Sequence, residues 1–328
     1  MIKRILAMNF GGLGDEILFL PALISLKKEY PNAKITLALE PRSKAIQQLT
    51  DVIDDVILVD IKGKNKYFEI FGLITKAIFG DFQMVVSSGA SPLISIIETM
   101  MFIPKRYGYD TGKLSRILLT KAIPLNKNQY AGGMYHDLVS VVTNHKTELP
   151  QITVQPEAKI PNSILIHPGV SLMSKEKGCI KSITGQEWAV LIDLLAERGK
   201  RVILAGGPDD EECIKDILKY SKTQKFENYY GKTKNLVDLA KLISASEKFV
   251  CSDSAPLHIA VAMGTKTYPF FGPTDDLKLV PKNENIIPLK TNDNCGLKPC
   301  LWERRQQSCA ELHCLKYNFE QLAQIICE

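Results

Sequence analysis

The feature that most constrains this chain is an alternation of two hydrophobic periods. Short apolar runs end in glycine or polar residues. Each is followed by a stretch with apolar positions three and four apart. Residues 3–9, 34–39, 55–59 and 84–87 read as strands, and 15–30, 43–49 and 67–79 as helices. Pro31-Asn32 stops the first long helix. The stretch 150–162, punctuated by Pro150, Pro156 and Pro161, has no period and reads as a linker. Beyond it the pattern restarts, with strands at 163–167, 201–205, 248–251 and 267–271 and helices at 186–198, 210–222, 235–245, 256–263 and 317–327. Such alternation predicts an α/β fold of two Rossmann-like domains with mostly parallel sheets. The expected division is a first domain over 1–155, a second over 156–315, and a last helix over 316–328 that packs back on the first. Two such domains leave a cleft, and ligands in doubly wound sheets bind beyond the carboxyl ends of the strands.

Composition narrows the function. At 328 residues, 45% hydrophobic and 23% charged, the chain is neither disordered nor fibrous. The net charge is +5; residues 1–155 hold 18 basic against 14 acidic side chains, and 156–328 hold 23 against 22. That balance argues against a nucleic-acid partner and suits an anionic substrate or membrane surface. The longest apolar candidate, 92–104, is interrupted by Glu98 and too short to span a bilayer. The basic, apolar start lacks a cleavage site and is broken by glycines, so it is not a signal peptide. Eight cysteines are too few for a secreted disulfide scaffold. The expected location is cytoplasmic, with peripheral contact at the inner membrane.

Four motifs fall in loops after strands. In Asn9-Phe-Gly-Gly-Leu-Gly-Asp15 the glycines allow a tight turn and close ligand approach, but the spacing is neither a Walker loop nor a dinucleotide fingerprint. Asp15 is either a helix cap or a carboxylate general base. His167-Pro-Gly-Val-Ser171 is a turn whose backbone and Ser171 can meet phosphate oxygens. Cys251-Ser-Asp-Ser-Ala-Pro-Leu-His258 opens a helix, with Ser252, Asp253 and Ser254 as caps. A diphosphate fits such a helix start, and a capped helix with a satisfied histidine is the plainer account. Cys295, Cys300, Cys309 and Cys314 are spaced at the outer limit for zinc; reduced thiols with no metal are the preferred reading.

In combination these motifs resemble glycosyltransferase family 9, the lipopolysaccharide heptosyltransferases. The resemblance rests on Gly11-Gly-Leu-Gly-Asp15 with Pro21-Ala-Leu, Ile166-His-Pro-Gly-Val-Ser171, Lys181-Ser-Ile-Thr-Gly-Gln-Glu-Trp188 and Gly231-Lys-Thr-Lys-Asn-Leu236. Asp253-Ser-Ala-Pro-Leu-His258, Phe271-Gly-Pro-Thr-Asp275 and Pro299-Cys-Leu-Trp-Glu-Arg-Arg follow in family order. It implies a GT-B fold, inverting transfer from a nucleotide-sugar donor such as ADP-heptose to an anionic glycolipid or glycan acceptor, and neither a cofactor nor a catalytic metal. It implies Asp15 as the base, and Lys181, Ser254, Ala255 and Asp253 with His258 around the donor diphosphate. Gly169 and Ser171 join that donor set, with Glu211 for the ribose and a backbone contact at Lys234 for the base. The acceptor is expected at Gly12, Lys62, Lys64, Lys66 and Arg106, with Arg116 and His136 as weaker candidates.

The chain departs from the family pattern at four places. Ala255 replaces a common glycine, Ile183-Thr184 replace Trp-Pro, 172–179 is longer and carries Lys175 and Lys177, and Glu16 stands beside the proposed base. A transferase for a capsule glycan or a protein, and a sugar-nucleotide binder without turnover, are the competing expectations. Intact Asp15 and Lys181 argue against the binder.

Overall fold

The computed structural model describes residues 2–176, 178–291, 295–301, 309 and 312–328. The chain forms two compact units, Met1–Thr153 and Val154–Glu328.

The first unit runs β1 (Arg4–Met8), α1 (Leu13–Glu29), β2 (Lys34–Leu39), β3 (Asp55–Leu58), α2 (Lys66–Phe79), β4 (Met84–Ser87), α3 (Pro92–Met100), β5 (Lys105–Tyr109), α4 (Lys113–Leu118), β6 (Lys121–Ile123) and α5 (Ala131–Asp137). Where a helix was expected over 43–49, residues Pro41–Gln48 are 3₁₀, with Pro41 at the first position. The six strands are parallel in the order β3-β2-β1-β4-β5-β6. The order reverses between β1 and β4, so the right-handed crossover rule puts α1 on one face and α2, α3 and α4 on the other. Packing agrees: α5 lies against α1, while α2 and α4 flank α3. Leu73, Ile74 and Ala77 of α2 bury against Leu6, Met8 and Val85 of the sheet. Doubly wound sheets bind ligands at such a reversal, which here lies at the carboxyl ends of β1 and β4. The Asn9 side chain joins the two loops there, accepting from Ser88 Oγ at 2.7 Å.

The second unit runs β7 (Ile160–His167), α6 (Leu172–Glu176), α7 (Gly185–Glu197), β8 (Arg201–Leu204), α8 (Glu211–Tyr220), β9 (Glu227–Asn228), α9 (Leu236–Ala245), β10 (Ser246–Ser252), α10 (Ala255–Met263), β11 (Lys266–Phe270), α11 (Asp276–Leu279) and α12 (Phe319–Cys327). Its five strands are parallel, in the order β11-β10-β7-β8-β9, with the reversal between β7 and β10. Trp188 is fully buried, edge-on to Phe270 at 4.8 Å. Leu322, Ala323 and Ile326 of α12 complete this same core. The segment 316–328, expected to pack back on the first domain, is instead part of the second unit. Its apolar stripe finds the exposed side of α7, and Lys248 Nζ donates to the Ile326 carbonyl at 2.6 Å. No helix among the described residues is long and apolar enough to cross a membrane.

Candidate active site

The turn after β1 places Asp15 with little freedom. Gly12 is the N-cap of α1, and Asp15, three residues on, turns back so that its Oδ2 accepts from the Gly12 N–H at 2.7 Å. The capping reading therefore holds in part: Asp15 satisfies an orphan donor of the helix start, from inside the helix. A Cβ on Gly11 would lie 2.3 Å from Asp15 Cβ and 2.6 Å from its Oδ2, so only glycine fits there. Asn9 Nδ2 donates to the Asp15 carbonyl at 3.2 Å, and Ser43 Oγ to the Gly11 carbonyl at 3.1 Å. Tyr135 Oη approaches the other carboxylate oxygen, Oδ1, at 3.4 Å. Burial and the Asp15 charge push this phenol's pKa up, so it stays a proton donor. Asp15 itself is half-buried, with one oxygen held by the backbone and one beside a phenol.

Glu16 is a poor rival for the base. It is 1% exposed, and burial, reinforced by the neighbouring Asp15 charge, raises its pKa well above the usual carboxylate range. A carboxyl that is sealed from solvent and holds its own proton this tightly is poorly placed to take one from a substrate. The raised value also has a stability consequence. The folded chain holds this proton more tightly than the unfolded chain, so stability is lost as pH rises above the unfolded value. Glu98, fully buried, is raised by the same cause. Thermal melts from about pH 5 to about pH 8 should show Tm falling in the wild type and falling less in Glu16→Gln, which carries no such proton. Parallel melting curves for the two proteins would show that Glu16 is charged in the folded state.

On the acceptor side the structure separates the three lysines. Lys62 Nζ lies 3.1 Å from Glu40 Oε1, while Lys66 Nζ sits over the Tyr67 ring at 5.1 Å. Lys64 is exposed, and Asp60 is occupied by the backbone N–H groups of Lys62 and Gly63. Glu40, buried at the end of β2, also accepts from Arg42 Nε at 2.7 Å. Arg42 Nη1 would be 3.3 Å from a Cβ on Gly12. One buried carboxylate thus braces two cations, with Arg42 close against the glycine turn. The sequence reading missed Arg42, and the signal it had was the strand end Leu39-Glu40-Pro41-Arg42. Arg106 is a correction. Its guanidinium donates to the Leu118 and Ile103 carbonyls at 2.9 and 2.7 Å, and as the second residue of a parallel strand it lies back from the carboxyl edge. Arg116 pairs with Asp110 at 2.7 Å. His136 is buried against Ser25 and the His145 carbonyl, and burial lowers its pKa.

In the second unit the loops after β7, β8 and β10, expected to bind the donor, meet. Ser252 Oγ donates to the Pro168 carbonyl at 2.7 Å and lies 2.7 Å from Ser182 Oγ, to which Trp188 Nε1 donates at 3.1 Å. This chain of bonds fixes the segment that carries Lys181. Lys181 Nζ lies 2.9 Å from Asp253 Oδ2 and 3.3 Å from the Asp253 carbonyl, directly before α10. Asp253 is 3% exposed, and a carboxylate repels phosphate, so its part is to hold Lys181. Ser254 is the N-cap and Ala255 the first residue of α10, and both are half-buried. Pro256 has no N–H and Leu257 N–H bonds the Ser254 carbonyl at 3.0 Å, so this helix start offers few backbone donors. His258, 4% exposed, sits inside the turn and offers almost no surface to a ligand.

The remaining donor candidates are dispersed around these loops. A Cβ on Gly169 would lie 1.4 Å from Asp210 Oδ1, so glycine is required there by the close-packed Asp210. Asp210 also takes the Gly207 N–H at 2.8 Å. Ser171 Oγ is 3.0 Å from Ser174 Oγ, at the start of the short α6. Glu211 is exposed at the start of α8 and paired with Lys215 at 2.8 Å. The Lys234 N–H is given to Asp238 at 3.0 Å. Lys175 Nζ donates to the Asp209 carbonyl at 2.5 Å, and Lys177 lies outside the described residues. Cys295, Cys300, Cys309 and Cys314 are free thiols, and burial raises the pKa of Cys300 and Cys314. Among the described residues no group of three or more His, Cys, Asp or Glu is placed to hold a metal ion.

Comparison with known proteins identifies the family. The chain matches the family model of glycosyltransferase family 9 (heptosyltransferase) over residues 80–310. Lipopolysaccharide heptosyltransferase 3 of Escherichia coli is 27% identical over 301 residues, covering 85% of this chain and 86% of the relative. The solved structure of a glycosyl transferase family 9 protein from Veillonella parvula superposes with a TM-score of 0.77 at 20% identity, over 99% of this chain and 96% of that one. That of E. coli heptosyltransferase WaaC with ADP-2-deoxy-2-fluoro heptose gives 0.65 at 19% identity, over 90% and 96%. With two parallel α/β units, a carboxylate fixed at the β1 turn and a family match across most of its length, the chain belongs to glycosyltransferase family 9, the heptosyltransferases, and is a glycosyltransferase of GT-B fold.

Proposed function

We propose that this enzyme moves heptose from ADP-heptose to an anionic acceptor of the lipopolysaccharide-core type, with inversion and without a metal ion. The observation that carries the reading is the fixed, half-buried Asp15 carboxylate at the switch point of the first sheet. Relatives named as lipopolysaccharide heptosyltransferases, and a solved relative holding a fluorinated ADP-heptose, support the choice of donor and acceptor class.

In this mechanism Asp15 takes the proton from an acceptor hydroxyl as its oxygen attacks the anomeric carbon. The bond from that carbon to the diphosphate oxygen breaks on the opposite face, so a single displacement inverts the centre, and ADP leaves. Negative charge gathers on the diphosphate in the transition state. Lys181 meets that charge, with the backbone at Ser254 and Ala255 adding a smaller share. Gly169 and Ser171 line the donor loop, Glu211 binds the ribose, and the Lys234 carbonyl meets the base. Gly12 allows the acceptor close approach, while Lys62, Lys64 and the Arg42–Glu40 pair hold its anionic groups.

The test is ADP release from ADP-heptose in the presence of a heptose-containing core acceptor, with and without excess EDTA. The expected result is acceptor-dependent release that EDTA leaves unchanged. Complete, Mg²⁺-reversible loss would overturn the metal-free reading, because the diphosphate would then depend on a cation other than Lys181. Release from a UDP- or GDP-sugar instead would overturn the donor.

A further inference from the structure

The first unit carries an apolar face that its own fold leaves uncovered. α2 is apolar on two sides. Leu73, Ile74 and Ala77 pack on the sheet, while Phe68, Phe71 and Phe79 point away and are 75%, 65% and 83% exposed. The neighbouring α3 exposes Leu93, the turn after it exposes Phe102 at 81%, and α4 beyond exposes Ile117. The three helices form one layer on one side of the sheet, so these side chains share a face. A helix with a second apolar side requires cover on its outer side as well.

The charge of the same segment says what the cover is. Residues 62–121 hold nine basic side chains against four acidic ones. Of the four acidic groups Glu98 is buried, Asp110 and Arg116 cancel as a pair at 2.7 Å, and of the basic groups Lys62 is paired with Glu40 at 3.1 Å. The excess equals the +5 of the whole chain. Lys76 on α2 and Lys113 on α4 are both exposed, beside Phe79 and Leu114 in the sequence order of their helices. A protein interface depletes lysine among its apolar contacts, because docking would strip its water. A second copy would set this positive face against itself. At a bilayer, aromatic and aliphatic side chains enter the acyl boundary while lysines reach the lipid phosphates.

We propose that the outer face of α2, α3 and α4 is a docking surface for an anionic lipid bilayer. This stands on exposure and charge in the first unit and is independent of which sugar is transferred. The test uses full-length protein sedimented with vesicles of phosphatidylcholine alone or with about one-third phosphatidylglycerol, together with its oligomeric state in solution. Wild type should pellet with the anionic vesicles, less at high salt, and far less with phosphatidylcholine alone. The triple variant Phe68→Ser/Phe71→Ser/Phe79→Ser, whose positions are exposed, should keep its thermal melt and bind about tenfold more weakly. Lys76→Glu/Lys113→Glu should lose the preference for anionic vesicles. Wild type failing to pellet with anionic vesicles, or both variants pelleting as wild type does, would overturn the proposal. A wild-type dimer that the triple variant splits into monomers would also overturn it, and would assign the face to a second copy.

Discussion

Asp15→Asn should lower kcat by about 10²–10⁴-fold while leaving ADP-heptose affinity and the melting temperature close to wild type. Asparagine keeps a carbonyl oxygen where the carboxylate now accepts from the Gly12 N–H at 2.7 Å, so the helix start stays satisfied. It lacks the basicity to take a hydroxyl proton. Asp15→Ala should show the same loss of turnover plus a loss of about 0.5–2 kcal/mol in stability, because the Gly12 donor then has no partner. Comparing the two by steady-state kinetics and thermal melts separates the base from the cap. Full activity in the asparagine variant would leave Asp15 as a structural residue only.

The second large effect lies at Lys181. Its ammonium is the main cation at a helix start that Pro256 has depleted of donors. Lys181→Ala should lower kcat/KM by about 10²–10³-fold, the scale seen when one group facing transition-state charge is removed. It should also destabilise the protein by about 3 kcal/mol, since Asp253, 3% exposed, is left buried without its partner. The double variant Lys181→Ala/Asp253→Asn removes that stranded charge. Its melt should recover most of the loss while its activity stays low. If stability and activity returned together, Lys181 would act only through the fold.

The alternation of periods was enough to place most elements, because strands such as β2 bury a continuous apolar run and helices such as α7 bury one apolar face. The segment from α3 to α5 was not legible. Its helices are short, Arg106 and Lys105 begin a strand with charge, and α4 owes its place to Asp110, Ser115 and Arg116, which are tied by side-chain bonds and not by period. The site shows the same limit. Asp15 stood out because a glycine turn has a local signature, whereas Lys181 was reached only through the family resemblance of the stretch 181–188. Arg42 did not stand out, because its position depends on Glu40 at the end of another strand. The roles given to Arg106 and His136 rested on residue type, and burial and backbone partners redirect both.

The volume that a side chain at residue 11 would fill is already taken by Asp15. Under the proposed role of Asp15 as the base, this makes a glycine, which has no chemistry of its own, a condition for turnover. A relative that kept the aspartate but carried alanine at this position would have to swing the carboxylate out of the turn, and its sequence would still look catalytically intact. Sorting working transferases from silent nucleotide-sugar binders in this family therefore calls for reading residues 11 and 15 as a pair. The presence of the acid alone is not sufficient ground for assigning an activity.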